Sequence, residues 1–598
     1  MSQDFVPVLV KDERLANITS ELKFAVKKGG QNVTVYPYKA ISASNSAITF
    51  NIQVPNRTTV LDRRIMLKAT VTLTITTPPA AAIGNLYIKP GNNFGLGPFP
   101  IQSLFSTMSM TINSNTVTIN IADVLPALLT MLDSRELSRY NGATPVQRDT
   151  WADYDIAVNN SLFNSPFGGW DKCVDYDLAT RGSFYVDSVT GNVAPNTVSS
   201  GTVTLKFTSY EPLLLSPLIW GAPKTNNQGF YGVTNLTFLF NVGSANRVVR
   251  TSANINPSSN NAGDIRTISL AAQGFDANST NLYITYLTPH PSDLLPSRNV
   301  VGYYDLPRYI SSGQNTLPAC SGSYANGNLQ PSNTIFNSQS LQLNQCPDKL
   351  IIFVRQDPST ITNANADSFF PISSININWN NQSGLLSSYS QYDLWRASCD
   401  AGSNLAWNEF RGIAMISPAD LTAADADGAS TAQRTIGSVL VLDMGRTVQL
   451  TDDFLAPGSI GSFNLQFNCN VQNWDSVAYN NCQLVLITMN SGLFVLENGS
   501  SSVFTAILDK QTVLETSEQE PYSRSDVARQ VGGGFLDSLK SIGKALMPIA
   551  RAVAPVARQA LASSDNKYAK MADSGLKMFG LGHSGGGPSG GLRRKIKD

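Results

Sequence analysis

Two stretches, FPIQS at Phe99–Ser103 and FPISS at Phe370–Ser374, are one five-residue phrase with a single change, 271 positions apart in a chain of 598 residues. Their surroundings follow the same order. Each phrase leads into an Ile- and Asn-rich segment with strand character, MTINSNTVTIN from Met110 and SININWNNQ from Ser374, and then into a helix-prone one. Further on, NLTFLFNV (Asn235–Val242) and SFNLQFNCNV (Ser462–Val471) read as equivalent late strands. Short Pro- and Ser-containing matches arise easily in this composition. The ordered neighbours nevertheless favour one architecture used twice.

The segments around the phrases have a period of two. In SAITFNIQV, Ile48, Phe50, Ile52 and Val54 alternate with polar residues, and in IMLKATVTLTI the apolar positions are Ile65, Leu67, Ala69, Val71, Leu73 and Ile75. VTLKF (Val203, Leu205, Phe207) and FNLQFNCNV (Phe463 to Val471) repeat the pattern. Alternation of this kind turns one face of a strand to a core and the other outward. KLIIFV (Lys349–Val354) and QLVLITM (Gln483–Met489) are unbroken apolar runs, as in strands covered on both faces. Two helical interruptions are expected. One is in Ile121–Tyr140, where Val124, Leu128, Met131 and Leu132 recur at helical spacing, and the other is in Gly384–Asp400.

A single core stops growing at about 250–300 residues, so this length calls for more than one domain. Hydrophobic residues are 42% and charged residues only 14%, against roughly 25% in ordinary soluble chains. Asn, Ser and Thr take the place of charge, which suits strands with neutral polar outer faces. The fold class expected is all-β: two tandem jelly-roll sandwiches with short inserted helices and a basic, helix-prone tail. The division expected is 1–250, 251–515 and 516–598.

The amino terminus has no basic segment followed by an apolar one, so no secretory signal is expected, and no run of about 18 apolar residues exists to cross a membrane. The six cysteines are widely spaced without a CxxC pair, which points to reduced, mostly buried thiols. The many Asn-x-Ser/Thr triplets then read as strand and loop composition.

Catalytic signals are sparse. There are two histidines. His583 lies in GHSGG, which matches a nucleophile-elbow pattern but sits in a glycine-rich tail lacking the strand and helix that the elbow needs. His290 is flanked by prolines with no neighbouring metal ligand. Neither a phosphate-binding loop nor GxGxxG occurs, the acidic turn LTDDF (Leu450–Phe454) reads as solvated, and no carboxylate pair stands out. No catalytic residue, metal site or cofactor is expected.

The tail is a different kind of sequence. Phe535, Leu539, Ile542, Leu546, Ile549 and Val553 fall on one helical face, while Pro548 and Pro555 divide it. Residues 532–598 carry a net charge of +7 and the rest of the chain −7. A basic amphipathic helix is a candidate membrane- or partner-binding element. Gly532, Gly533, Gly534 and Phe535 form a small-residue hinge and a candidate site of proteolytic release. Arg593, Arg594, Lys595 and Lys597 are candidate contacts to nucleic acid or another anionic surface.

Several separated stretches resemble the major capsid proteins of virophages and related polinton-like viruses: FAVKKGGQNVTVYPYKA from Phe24, TVLDRR (Thr59–Arg64), the long segment from Phe99, RGSFYV (Arg181–Val186), ININWNNQSGLL and LAWNEFRG (Leu405–Gly412). The likeness runs in order from about residue 24 to about residue 490. It implies two vertical jelly rolls per chain, homotrimers of hexagonal outline, and an icosahedral capsid around the genome. The implied partners are other copies of the chain, penton and minor capsid proteins, and a viral protease acting on the tail. The basic tail is outside the likeness and resembles membrane-active or scaffolding peptides of other non-enveloped viruses. The competing reading is a carbohydrate-binding or adhesive β-sandwich, for which Trp379 and Trp395 are the candidate aromatic platform.

Overall fold

The computed structural model describes residues 32–56, 59–79, 94–96, 99–131, 185–190, 200–218, 229–251, 267–288, 298–312, 316–322, 329–361, 368–415, 432–450, 456–497 and 499–505. They form two sandwiches of antiparallel strands in succession, as the alternation requires. In the first, one sheet runs Asn32–Lys39, Asn281–Thr288, Met66–Pro79, Ser200–Pro212, Tyr185–Thr190, and Thr267–Phe275 joins Met66–Pro79 as well. The facing sheet runs Ser42–Ala43, Ala47–Gln53, Asn235–Val242, Phe105–Ile112, Asn115–Ile119. The apolar members of each alternating segment meet between the sheets: Ile48, Phe50, Ile52, Leu67, Val71, Leu73, Leu205, Phe207, Phe238 and Phe240 are all buried.

The second sandwich repeats the plan. Arg298–Asp305 and Arg308–Ser312 pair with the long strand Gln483–Glu497, followed by Lys349–Arg355 and Leu440–Asp443. Ser500–Thr505 also lies on Gln483–Glu497. The facing sheet has Ser332–Asn337 and Leu341–Gln345 on one side of Ile460–Asn473, and Ile372–Trp379 with Gln382–Leu385 on the other. The unbroken apolar runs are buried throughout from Leu350 to Val354 and from Leu484 to Leu486. The helix Gln391–Asp400 covers the sheet beside them, where the Ser398 hydroxyl accepts from the amide of Val441 at 3.1 Å.

The repeated phrase marks equivalent places, although its own spacing is not the structural period. Phe105–Ile112 and Ile372–Trp379 show the same succession of buried and half-buried positions. Each ends on an asparagine with positive φ, Asn113 at 54° and Asn380 at 50°, 267 residues apart. The four extra residues accommodate a three-residue 3-10 turn, Gln102–Leu104, which precedes the strand in the first unit only. The residue that differs between the phrases accounts for this. Gln102 is fully buried, donating to the carbonyl of Pro212 at 2.8 Å and accepting from the amide of Leu214 at 2.8 Å. Its counterpart Ser373 lies within the strand and donates to the carbonyl of Asn470 at 3.2 Å. Asn235–Val242 and Ile460–Asn473 are the equivalent late strands, each paired with its unit's hairpin.

One expectation is corrected and another is made more exact. The division at 250 is wrong, because Thr267–Phe275 and Asn281–Thr288 are hydrogen-bonded to Met66–Pro79. The changeover falls between residues 288 and 298, and 251–288 belongs to the first unit. Each of the two segments expected to hold a helix holds a short one. The first spans Ile121–Leu129 and ends in a turn at Met131, with 132–140 outside the described residues. The second begins only at Gln391, because Ser390 and Asp393 form a capping box there and Gln382–Leu385 is a strand.

The two left-handed asparagines give a direct test. The Asn113 side-chain Oδ1 accepts from the amide of Thr234 at 2.8 Å, and Asn380 accepts at Oδ1 from the amide of Asn464 and donates its own amide to the Asn464 carbonyl, both at 2.8 Å. Asn113→Ala therefore loses both the tolerated positive φ and the acceptor, and urea unfolding is expected to show a loss of about 2 kcal/mol. Asn113→Gly is expected to recover the backbone part only.

Candidate functional site

The candidate residues of the tail, Gly532 to Phe535, the apolar face from Phe535 to Val553, and Arg593, Arg594, Lys595 and Lys597, lie outside the described residues, as do His290 and His583. Among the described residues, no group of three or more His, Cys, Asp or Glu is placed to hold a metal ion. A cavity of about 30 Å³ beside Phe369, Pro371 and Trp474 has room for roughly one water molecule. Trp379 is buried against Phe463, stacked at 5.3 Å, so one half of the suggested aromatic platform is core. Trp395 instead packs edge-on with Trp407 at 5.8 Å and tilted with Tyr392 at 5.1 Å, and its indole donates to the carbonyl of Leu405 at 2.8 Å.

Polar chemistry concentrates where the two sandwiches meet. Asp123, the third residue of the first helix, is buried and ion-paired with both Arg308 and Arg355 of the second unit. Gln483 accepts from Nε and Nη2 of Arg355 at 3.3 and 3.2 Å, which fixes the plane of the guanidinium. Burial lowers the Arg355 pKa to about 10, with Asp357 acting in the opposite direction. The helix that carries Asp123 contains Pro126, which has no amide to donate to the carbonyl of Ala122. Arg247 supplies the missing donor at 3.3 Å.

Three further sets of contacts close the junction. The sheet edge at Arg298–Asp305 is covered by the first unit: the amide of Tyr304 donates to the Ser216 hydroxyl at 2.9 Å, Asn299 donates to the carbonyl of Gly229 at 3.0 Å, and the Tyr231 hydroxyl donates to the carbonyl of Arg298 at 2.8 Å. Asn404 donates to the carbonyls of Thr130 and Met131 at 2.9 and 2.8 Å, tying the two helical segments together. Ser501, in the last described strand, donates to the carbonyl of Ile112 at 2.6 Å and accepts from the amide of Asn115 at 3.1 Å, so it caps the turn of the first hairpin. One continuous hydrophobic cluster runs through both units beneath these contacts.

A second buried charge lies inside the first unit. Glu211 accepts from the amides of Ile101 and Gln102 at 2.7 and 3.0 Å, from the Gln102 side chain at 3.3 Å and from the Ser209 hydroxyl at 2.9 Å. Desolvation raises its pKa to about 7 although every one of these bonds lowers it. Burial likewise raises Asp348 to about 6.

Two jelly rolls with the same order of hairpin and helix, fused through a buried polar junction, define the double jelly-roll class of viral capsid proteins. The domain model described as the Sputnik virophage major capsid protein first domain matches residues 3–284, and the model of the major capsid protein V20 C-terminal domain matches 306–492. The gap between them contains the changeover seen in the structure. The putative capsid protein V20 of Sputnik virophage is 28% identical over 610 residues, covering 98% of this chain and 96% of that one. The cryo-EM structure of the Sputnik virophage superposes with a TM-score of 0.69 at 26% identity, covering 88% of this chain and 98% of that one. The crystal structure of mavirus major capsid protein shares the fold, with a TM-score of 0.66 at 16% identity over 88% of this chain and 99% of that one. The chain belongs to the family of virophage major capsid proteins. It is a structural protein of the virus capsid.

Two outcomes are expected. Asp123→Asn leaves two guanidiniums at the junction without their counter-charge, and calorimetry should show a loss of about 3–5 kcal/mol. The raised carboxylates set the pH dependence. Glu211 shifts from 4.5 to about 7, so the folded state holds a proton that the unfolded state has released across that window. Stability is then greatest below about 4.5 and is lost as pH rises through about 7, with Asp348 adding in the same direction up to about 6. The melting temperature should be higher at pH 5.5 than at pH 8, and Glu211→Gln should flatten that slope.

Proposed function

We propose that three copies of this chain close into a ring of hexagonal outline and that such capsomers tile an icosahedral shell around the genome. The repeat within the chain carries this reading. Two rolls with equivalent hairpins, late strands and helices give six similar blocks in a ring of three. A cyclic trimer needs heterologous interfaces that close on themselves. The exposed faces here are dominated by Asn, Ser and Thr, which hydrogen-bond across an interface without the desolvation cost of buried ions. Penton and minor capsid proteins complete the set of partners on this reading.

The tail has a separate role in the same proposal. Its charge of +7 against −7 for the rest of the chain suits an anionic surface. Arg593, Arg594, Lys595 and Lys597 would neutralise phosphates of the genome, and the face from Phe535 to Val553 would engage membrane or another capsid protein. Cleavage by a viral protease within Gly532–Phe535 would release it.

Light scattering and negative-stain microscopy of the full chain, and of a truncated chain ending at Gly532, test the reading. The expected result is three times the chain mass and hexagonal outlines, with the tail changing the extent of assembly. A monomer under every condition tried would overturn it.

A further inference from the structure

The two rolls begin in the same way but differ in what covers their first strand. In the second roll, Arg298–Asp305 and Arg308–Ser312 open the unit and pair with its last long strand. In the first roll, Asn32–Lys39 opens the unit and pairs with Asn281–Thr288. Each stands at the end of its sheet, so each presents one row of backbone groups outward. In the second roll that edge is partly covered within the chain. Val301, Tyr303 and Tyr304 are 2%, 7% and 5% exposed while Val300 is 43% exposed. The backbone groups of Arg298 and Tyr304 bond to Tyr231 and Ser216 of the first roll, and the Asn299 side chain bonds to Gly229.

The equivalent strand of the first roll has no such cover among the described residues. Val33, Val35 and Tyr36 are 57%, 54% and 50% exposed, and successive side chains of a strand point to opposite faces, so both faces are partly open, although Tyr36 touches Tyr286 and Tyr38 packs on the core. The sequence is β-prone and apolar, with Pro37 as an edge marker. An exposed apolar edge strand of eight residues invites pairing or packing with another chain.

The surface of the second roll that corresponds to the cover is open in part, with Gly445, Arg446 and Gln449 exposed while Met444, Val448 and Ser459 are buried beneath them. In the first roll the cover comes from the segment joining Ser200–Pro212 to Asn235–Val242 and from the neighbouring helix, whose third residue Asp123 receives Arg308 and Arg355. In the second roll the corresponding segment is 444–450 with 456–459, and the third residue of the corresponding helix, Asp393, is exposed. The hairpin turn also differs. The turn at Asn113–Ser114 is capped by Ser501, whereas Asn380 and Asn381 lie exposed.

We propose that Asn32–Lys39 of one copy packs on the second roll of a neighbouring copy, against the turn at Asn380–Asn381 and residues 444–450 and 456–459. It would do so as Arg298–Asp305 packs on the first roll of its own chain. The occupant is a second copy of this chain because the chain already contains the mating surface, in the repeat of the unit that does the covering. The inference rests on the ring reading above and specifies which surfaces close that ring.

The test uses the full chain. Replacement of Tyr36 by the photoreactive p-benzoylphenylalanine, followed by irradiation and mass spectrometry, should yield cross-links to residues 380–381, 444–450 or 456–459 of another copy. In parallel, Val35→Lys should retain the far-ultraviolet circular dichroism of the parent while raising the concentration for half-association by about tenfold or more. A trimeric parent whose cross-links fall within the same copy (residues 1–31 included), or on the first roll of the neighbour, overturns this inference alone. A folded Val35→Lys that assembles like the parent also overturns it. A parent that remains monomeric overturns the ring reading itself, and this inference with it.

Discussion

A carboxylate and a guanidinium taken out of water at the junction of two sandwiches, with the partly exposed Arg308 as the second partner of the carboxylate, are the constraint on which the rest of the molecule depends. Apolar packing between the rolls favours contact but tolerates sliding, because dispersion and the hydrophobic effect have little directional content. Asp123 with Arg308 and Arg355 does not tolerate it, since a small displacement would leave buried charge without a partner. The helix carrying Asp123 is held in turn by Arg247 at the carbonyl that Pro126 leaves open. One roll thus sets the orientation of the other. A building block that must meet its neighbours at defined angles needs that fixed geometry more than it needs extra stability.

Low charge and abundant hydroxyl and amide groups serve the same end on the sheet faces. Ser109 meets Thr118 at 2.9 Å and Thr111 meets Thr116 at 2.7 Å across neighbouring strands. Such pairs stabilise a sheet by a few tenths to about 1 kcal/mol each and keep its outer face polar without net charge. The face remains compatible with water before assembly and with another polar face after it.

Much of this was legible in the sequence because the pleat writes itself as alternation. Every apolar position read from Ile65 to Ile75 is buried, as are Phe463, Leu465, Phe467, Cys469 and Val471. The pairing of strands was not legible, because alternation marks a face and not a partner. Thr267–Phe275 and Asn281–Thr288 were therefore given to the wrong roll. The phrase at Phe99 pointed to the right hairpin with a spacing four residues too long, since nothing local announces a 3-10 turn organised by Gln102 and Glu211 from the far side of the sheet. The junction was invisible for the same reason. Asp123 sits in a segment read for its apolar spacing, and Arg355, 232 positions away, follows an apolar run that drew all the attention. The resemblance to virophage capsid proteins supplied what local patterning could not, because it compares whole chains.

The cap that Ser501 places on the first hairpin also has a consequence in time. The amide of Asn115 and the hydroxyl that receives it are 386 positions apart. At about 5–20 residues per second, a ribosome needs roughly 20 to 80 seconds to make the chain between them. The first roll therefore emerges with its core strands present and its hairpin turn uncapped. Only when the last described strand of the second roll, Ser500–Thr505, arrives does that end of the molecule close. A subunit interrupted before that strand keeps an open end, and completeness of synthesis becomes a condition for presenting the finished surface to other subunits.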